Sequence, residues 1–138
     1  MRVERVAPSH KLLRVLHAAT FPRDEQPEWE SGTWWLVFDG ERAIAFAGLT
    51  PSVQFSDCGY LVRAGVLPAW RGRGLQKRLL RVRERFARSV GLNWLVTATY
   101  QNTASSNSLI AAGYRLYEPS RPWLDKGALY WRKQLKAD

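Results

Sequence analysis

Hydrophobic positions along this chain recur at helical spacing in two stretches and form short alternating or continuous runs in several others, the pattern of a mixed α/β protein. The clearest helix begins at Leu75. Leu75, Leu79, Val82, Phe86 and Val90 share one face, Lys77, Arg78, Arg81, Arg85 and Arg88 fall mainly on others, and Gly91 provides a stop. An earlier helix is expected over about His10 to Ala19, capped by Ser9, with Leu12, Leu13 and Leu16 on its buried side and Pro22 and Pro27 breaking the pattern after it. Trp34 to Phe38 and Ala43 to Leu49 read as strands joined through Asp39-Gly40, a hairpin signal. Further strands span about Gly59 to Leu67 and Trp94 to Tyr100, and a short helix near Ser105 to Ala112 ends at Gly113. Arg115 to Glu118 and Ala128 to Gln134 form a last strand pair, with Pro119, Pro122 and Trp123 in the loop between them. Gly65 is out of place inside a strand, where glycine weakens pairing; a bulge, or close approach by another backbone or a ligand, is the common reason for one.

Between the Gly59 strand and the Leu75 helix lies Arg71-Gly72-Arg73-Gly74-Leu75-Gln76. Strand, glycine turn and helix in that order bind phosphates, because a helix start leaves several backbone N–H groups without intrahelical partners and carries partial positive charge. Gly72 and Gly74 supply the backbone freedom that such a wrap requires. Short Arg-Gly tracts also occur in flexible RNA-binding segments, but those have no reason to lie between a strand and a helix. Phosphate binding is the stronger reading.

The sequence around the turn resembles the GNAT superfamily of N-acetyltransferases, whose acetyl-CoA signature is Q/R-x-x-G-x-G/A after a strand ending V-x-P. Val66-Leu67-Pro68 and Arg71 to Gln76 match in order and spacing, with Arg71 in the Q/R place, Gly74 as the central glycine, and Gln76 where Gly or Ala is usual. A second block, Asn102, Ser105, Leu109, Gly113 and Tyr114, resembles the family's N-x-x-[A/S]-x-x-x-[Y/L]-x-x-x-G-[F/Y] segment. The resemblance implies one GNAT-like domain over residues 1–138: a central, mixed but mostly antiparallel sheet of about six to seven strands flanked by helices. It implies acetyl-CoA as co-substrate, held by Val66, Leu67, Arg71, Gly72, Arg73, Gly74, Leu75, Gln76, Lys77, Arg78, Asn102 and Ser105. It also places a bulge near Gly65, beside which the pantetheine arm would lie like an extra strand.

The chemistry implied is attack of a neutral amine on the acetyl thioester. The developing oxyanion needs a fixed donor, expected at the backbone N–H of Val66 or Leu67; Pro68 has none. Many relatives protonate the departing thiolate with a Tyr seven residues after the motif Asn, which here is Leu109. Ser105 is the first substitute, with helix capping as its plainer role, and Tyr100 and Tyr114 follow, each with core packing as the alternative. Tyr60 stands where some relatives carry a catalytic Glu, and Glu28, Glu41, Asp57 and Glu118 fit turn or surface roles better than that of a base relayed by water. Without the usual acid and base, two readings stand within the family: an acetyltransferase acting mainly by positioning, and a catalytically weak acyl-CoA-binding module.

Charge adds a third reading from another class. Lys and Arg total 21 against 12 acids, for a net charge of +9, and the basic residues crowd between Arg71 and Arg88. A basic rim at the turn attracts an anionic cofactor, yet the same surface suits nucleic acid or a ribosome, or is a solvated helix face. Asp24, Glu25, Glu28 and Glu30 reverse the sign locally, where the family usually covers its acceptor pocket. They fit a cationic amine, with Trp29, Trp34, Trp35 or Trp123 as walls; exposed acids and core tryptophans are the plainer alternative. Cys58 is the single cysteine, which excludes an internal disulfide and a thiolate zinc site, and His10 and His17 lack a third ligand, so no metal is expected. No run approaches the roughly 18 apolar residues of a membrane span and residues 1–8 lack a signal-peptide core, so a cytoplasmic enzyme is expected.

Overall fold

Strand and helix in the computed structural model, which describes residues 1–52, 56–124 and 126–135, follow the alternation read from the sequence. Among the described residues, seven strands make one mixed sheet in the order β1-β2-β3-β4-β5-β7-β6. They are β1 (Arg2–Val6), β2 (Thr33–Asp39), β3 (Arg42–Pro51), β4 (Cys58–Val66), β5 (Trp94–Thr99), β6 (Arg115–Leu116) and β7 (Leu129–Gln134), accompanied by α1 (Lys11–Thr20), α2 (Leu75–Ser89) and α3 (Thr103–Ala111). The backbone divides into two compact units, Met1–Thr50 with Val62–Arg83 and Pro51–Leu61 with Glu84 onward, so β4 and α2 each contribute to both.

In the first unit β1 pairs antiparallel with β2, and β2 with β3 through the two-residue link Gly40-Glu41, where Gly40 has φ +60°. β1 was not expected. Its sequence Arg-Val-Glu-Arg-Val lacks strict alternation, and one strand neighbour suffices to hold it. α1 begins one residue later than expected, and its cap is His10 rather than Ser9: the imidazole Nδ1 accepts the Leu12 N–H at 3.2 Å. Leu13 and Leu16 then pack with Trp29, Trp34, Leu36, Phe38 and Phe46 in one buried cluster, with Leu12 at its margin. Trp35, Val37, Ala45 and Ala47, paired across the two strands, point to the opposite face of the sheet and are buried as well.

In the second unit Cys58, Gly59 and Tyr60 at the start of β4 run parallel to β5, while β7 lies antiparallel between β5 and β6. The expected last strand pair is present, with β6 cut to two residues. α2 departs from its expected face. Val90 lies beyond its end and is exposed, Val82 and Phe86 are half-buried, and the buried positions are Leu75, Leu79, Leu80, Arg83, Glu84 and Ala87. Two charged residues thus occupy the apolar stripe, each tied to hydrogen-bond partners. Arg83 donates to the carbonyls of Leu79 and Gly48, and Glu84 accepts from Tyr114 and Lys133. A pattern scored by hydrophobicity counts such residues as solvent-facing.

Candidate functional site

The first unit assembles the glycine turn. β4 ends at Val66, a 3-10 turn over Pro68–Trp70 follows, and α2 opens at Leu75. Gly72 and Gly74 have φ of +78° and +77°, and a Cβ added at either would meet nothing within 4 Å. Glycine is therefore required by backbone conformation, and the space above the turn is open. Gly74 O accepts the Arg78 N–H at 3.0 Å, so the amides of Leu75, Gln76 and Lys77 precede the first helical bond and have no carbonyl within the helix to meet. No side chain occupies the cap position. The arrangement is a cradle of main-chain donors fit for a pyrophosphate.

Side chains hold the cradle against the strand. Arg71 Nε donates to Val66 O at 3.1 Å and Gln76 Nε2 to Ala64 O at 3.2 Å, while the Arg73 guanidinium lies 4.7 Å from the Trp70 ring centroid. Gln76, the departure from the expected Gly or Ala, thus ties the helix start to β4. Lys77 and Arg78 are exposed and, among the described residues, have no carboxylate partner. Of the two expected oxyanion donors, Leu67 is engaged: its N–H reaches Ile44 O at 3.0 Å. Val66, the other, is the last residue of β4.

Gly65 has a cause different from a ligand's approach. A Cβ there would run into Thr20 Oγ1 and come 2.7 Å from Phe46 Cε1, so the end of α1 and the core phenylalanine require the glycine. The backbone irregularity falls two residues earlier, at Arg63, whose φ is +33°. Arg63 also joins a cluster that sequence reasoning missed. Its Nη1 lies 2.6 Å from His17 Nε2, its guanidinium 5.3 Å from the Phe21 ring, and Asp24 Oδ2 3.9 Å from Nη1. His17 is buried among the rings of Phe21, Trp29 and Phe46. Burial, followed by the Arg63 charge, lowers its pKa, with Asp24 opposing. His17 falls one and four residues after Leu16 and Leu13 on the apolar face of α1, a signal that could have marked it as buried.

The second unit holds the remaining expected residues. Asn102 caps α3, its Oδ1 accepting the Ser105 N–H at 3.0 Å, so capping belongs to Asn102 and not to Ser105. Ser105 is half-buried, and among the described residues its hydroxyl has no hydrogen-bond partner. Its neighbour Ser106 shares a 3.0 Å bond with Thr99. Leu109 is buried. Tyr114 is buried with its hydroxyl given to Glu84, the packing role foreseen as its alternative, whereas Tyr100 is exposed just past β5. Tyr60 packs edge-on against Trp123, and Asp57 serves the turn before β5, accepting from Asn93.

The acids at Asp24, Glu25, Glu28 and Glu30 are all exposed, but Trp29, Trp34 and Trp35 belong to the core and offer no free walls. Trp34 Nε1 donates to Trp29 O and Trp29 Nε1 to Gln26. Cys58 is buried, which raises its pKa to about 11 and keeps it a thiol. Among the described residues no group of His, Cys, Asp or Glu is arranged to hold a metal, and no helix is long and apolar enough to cross a membrane.

The profile of the acetyltransferase (GNAT) family matches residues 7–117. No curated protein matches the chain in sequence. Among solved structures, IAA acetyltransferase from Bacillus cereus superposes with a TM-score of 0.79 at 16% identity, covering 96% of this chain and 98% of that one. A GNAT family acetyltransferase from Elizabethkingia anophelis, solved with acetyl-CoA bound, gives 0.76 at 15% identity over 96% and 97%. The ribosomal-protein-S18-alanine N-acetyltransferase from Escherichia coli gives 0.76 at 14% over 99% and 95%. At these identities the likeness is one of fold.

Proposed function

This chain belongs to the GNAT acetyltransferase family, and from that premise we propose that it is an N-acetyltransferase that uses acetyl-CoA to acetylate a primary amine of a small molecule or protein. One observation carries the reading: Gly72 and Gly74 at positive φ leave an open cradle of amides at the start of α2. Acetyl-CoA supplies an activated acetyl thioester, so that as the amine nitrogen bonds the carbonyl carbon the carbon–sulfur bond breaks, CoA leaves as the thiolate, and the amine's proton is released. The amides of Leu75, Gln76 and Lys77 bind the pyrophosphate, and Arg71 and Gln76 keep that helix start in register with β4. Lys77 and Arg78 add charge for the cofactor's phosphates. In this reading the Val66 N–H is the candidate oxyanion donor, and Ser105 the candidate donor to the departing sulfur. Asn102 positions Ser105 by capping its helix. The protein works in this reading as a single domain in the cytoplasm.

A thiol-release screen with acetyl-CoA against panels of amines and peptides, together with CoA calorimetry, tests this. Cys58 will not interfere, being buried and protonated. Buried Leu109, in the place of the usual tyrosine, favours a second reading, a module that binds acyl-CoA without efficient turnover. Binding with no turnover on any acceptor selects it. Strong nucleic-acid binding that survives saturation with CoA selects a basic module instead.

A further inference from the structure

The cluster around Arg63 has a use that the cofactor cradle does not absorb. Arg63 sits in β4 at φ +33°, a left-handed conformation that costs a non-glycine residue energy and that persists where the surroundings impose it, commonly at functional sites. What the strained backbone presents is a guanidinium with an unusual set of neighbours. Its closest partner is the neutral imidazole of His17, which takes one N–H at 2.6 Å and adds no negative charge. Among the described residues this is the guanidinium's single hydrogen bond, leaving most of its donors over. Phe21 covers one side of the plane.

The negative partner is loose. Asp24 Oδ2 stands 3.9 Å from Nη1, beyond hydrogen-bond distance, and the Asp24 side chain is 54% exposed against 27% for Arg63. A pair of that length with one partner exposed is weak and readily exchanged. The guanidinium is therefore oriented and partly desolvated, yet lacks a firm counter-ion. A carboxylate, planar and able to take two parallel N–H bonds, fits such a fork, and the acid already loosely beside it marks the direction of approach. Arg63 precedes Val66 by three residues of the same strand, roughly 10 Å at about 3.3 Å per residue, which a small acceptor can span.

We propose that Arg63, held in orientation by His17, binds a carboxylate on the acceptor, so that the acceptor is an amine that also carries a carboxyl group. The inference rests on the N-acetyltransferase reading. Asp24 is the group displaced when such an acceptor enters, and His17 is a positioning residue.

The test compares matched ω-amines that differ in carboxylate or carboxamide: 4-aminobutyrate and 6-aminohexanoate against their amides, where the carboxyl group lies far enough from the nitrogen to alter its basicity little. CoA release is followed for turnover, and calorimetry on CoA-saturated protein for binding. Wild-type protein should favour the carboxylate members by about tenfold to a hundredfold in kcat/KM, mainly through KM, on the scale of a hydrogen-bonded charge. Arg63→Gln should abolish the preference by lowering kcat/KM of the carboxylate members to the level of their amides, with acetyl-CoA affinity unchanged as the check that the cofactor cradle is intact. Arg63→Lys should keep part of it, as a point charge without the fork. Equal use of both members, a preference that survives Arg63→Gln, or failure of the carboxylate members to bind CoA-saturated protein overturns the inference, whatever the thermal stability of the variants. Failure of the parent reading is distinct: acetyl-CoA itself would not bind, or no amine of either kind would release CoA.

Discussion

Tyr114 Oη donates a 2.8 Å hydrogen bond to Glu84 Oε2, joining the segment that follows α3 to a buried carboxylate of α2. Lys133 Nζ reaches both oxygens of the same carboxylate at 3.2 Å and the Ala112 carbonyl at 2.8 Å. A charge taken into the interior is thus matched by one opposite charge and one neutral donor. The tyrosine is spoken for. Tyr114→Phe should lower stability by about 1–2 kcal/mol, the cost of stripping one bond from a buried acceptor, and leave turnover nearly unchanged. Chemical denaturation and CoA release measured on the same preparation check both halves.

The glycine turn makes a separate demand. Gly74→Val places a β-branched side chain at φ +77° and in the space left open above the cradle. The backbone term costs about 1–3 kcal/mol of stability. Acetyl-CoA affinity should fall further than that, because the side chain also obstructs the ligand. Calorimetry on the folded variant decides; unchanged affinity removes the cradle from the mechanism. Lys77→Ala with Arg78→Ala should weaken cofactor binding, whereas Arg85→Ala should have little effect.

Ser105 is predicted to assist departure of the CoA thiolate. A hydrogen bond to a charged group contributes about 1.5–3 kcal/mol. Ser105→Ala should then lower kcat by about tenfold to a hundredfold with acetyl-CoA affinity little altered. Equal turnover, with a large loss in Tyr100→Phe, would transfer the role to that exposed tyrosine.

Gly65 is a packing requirement. Gly65→Ala pushes a methyl group against Thr20 and Phe46 and should destabilise the protein by about 1–3 kcal/mol, the usual cost of overpacking. Adding Thr20→Ala should recover part of the loss, since one of the nearest atoms is then removed. Thermal melts of the single and double variants provide the comparison.

His17 makes stability depend on pH with a definite sign. Its pKa in the folded protein lies below the ordinary 6.5, because burial and the Arg63 guanidinium disfavour the imidazolium. The unfolded chain therefore takes up a proton first as pH falls. Stability attributable to this residue is fully present above about pH 7.5 and is lost as pH drops through 6.5 toward the folded value, by up to roughly 1.4 kcal/mol per pH unit for one proton. Groups facing the imidazole are Arg63 and, more weakly, Asp24; the rest are rings. Melting temperatures at pH 7.5, 6.5 and 5.5 should fall more steeply in the wild type than in His17→Gln. Parallel slopes would exclude His17 as the source.

Local signals carried the architecture. Leu13 and Leu16 at helical spacing, the Asp39-Gly40 hairpin, the glycines closing α2 and α3 and the strand-turn-helix order around Gly72 and Gly74 are written in adjacent residues, because helix faces, turns and positive-φ positions depend on chemistry within one or two turns of chain. Tertiary structure decided what distant residues do to one another. β1 exists because β2 offers an edge. Arg83 and Glu84 could enter the interior of α2 only because Gly48, Tyr114 and Lys133 supply partners 30 to 49 residues away. Gly65 answers to Thr20 and Phe46, and Arg63 meets His17 across 46 residues. A buried charge or a missing Cβ is favourable only beside its neighbour, and that neighbour is chosen by the fold.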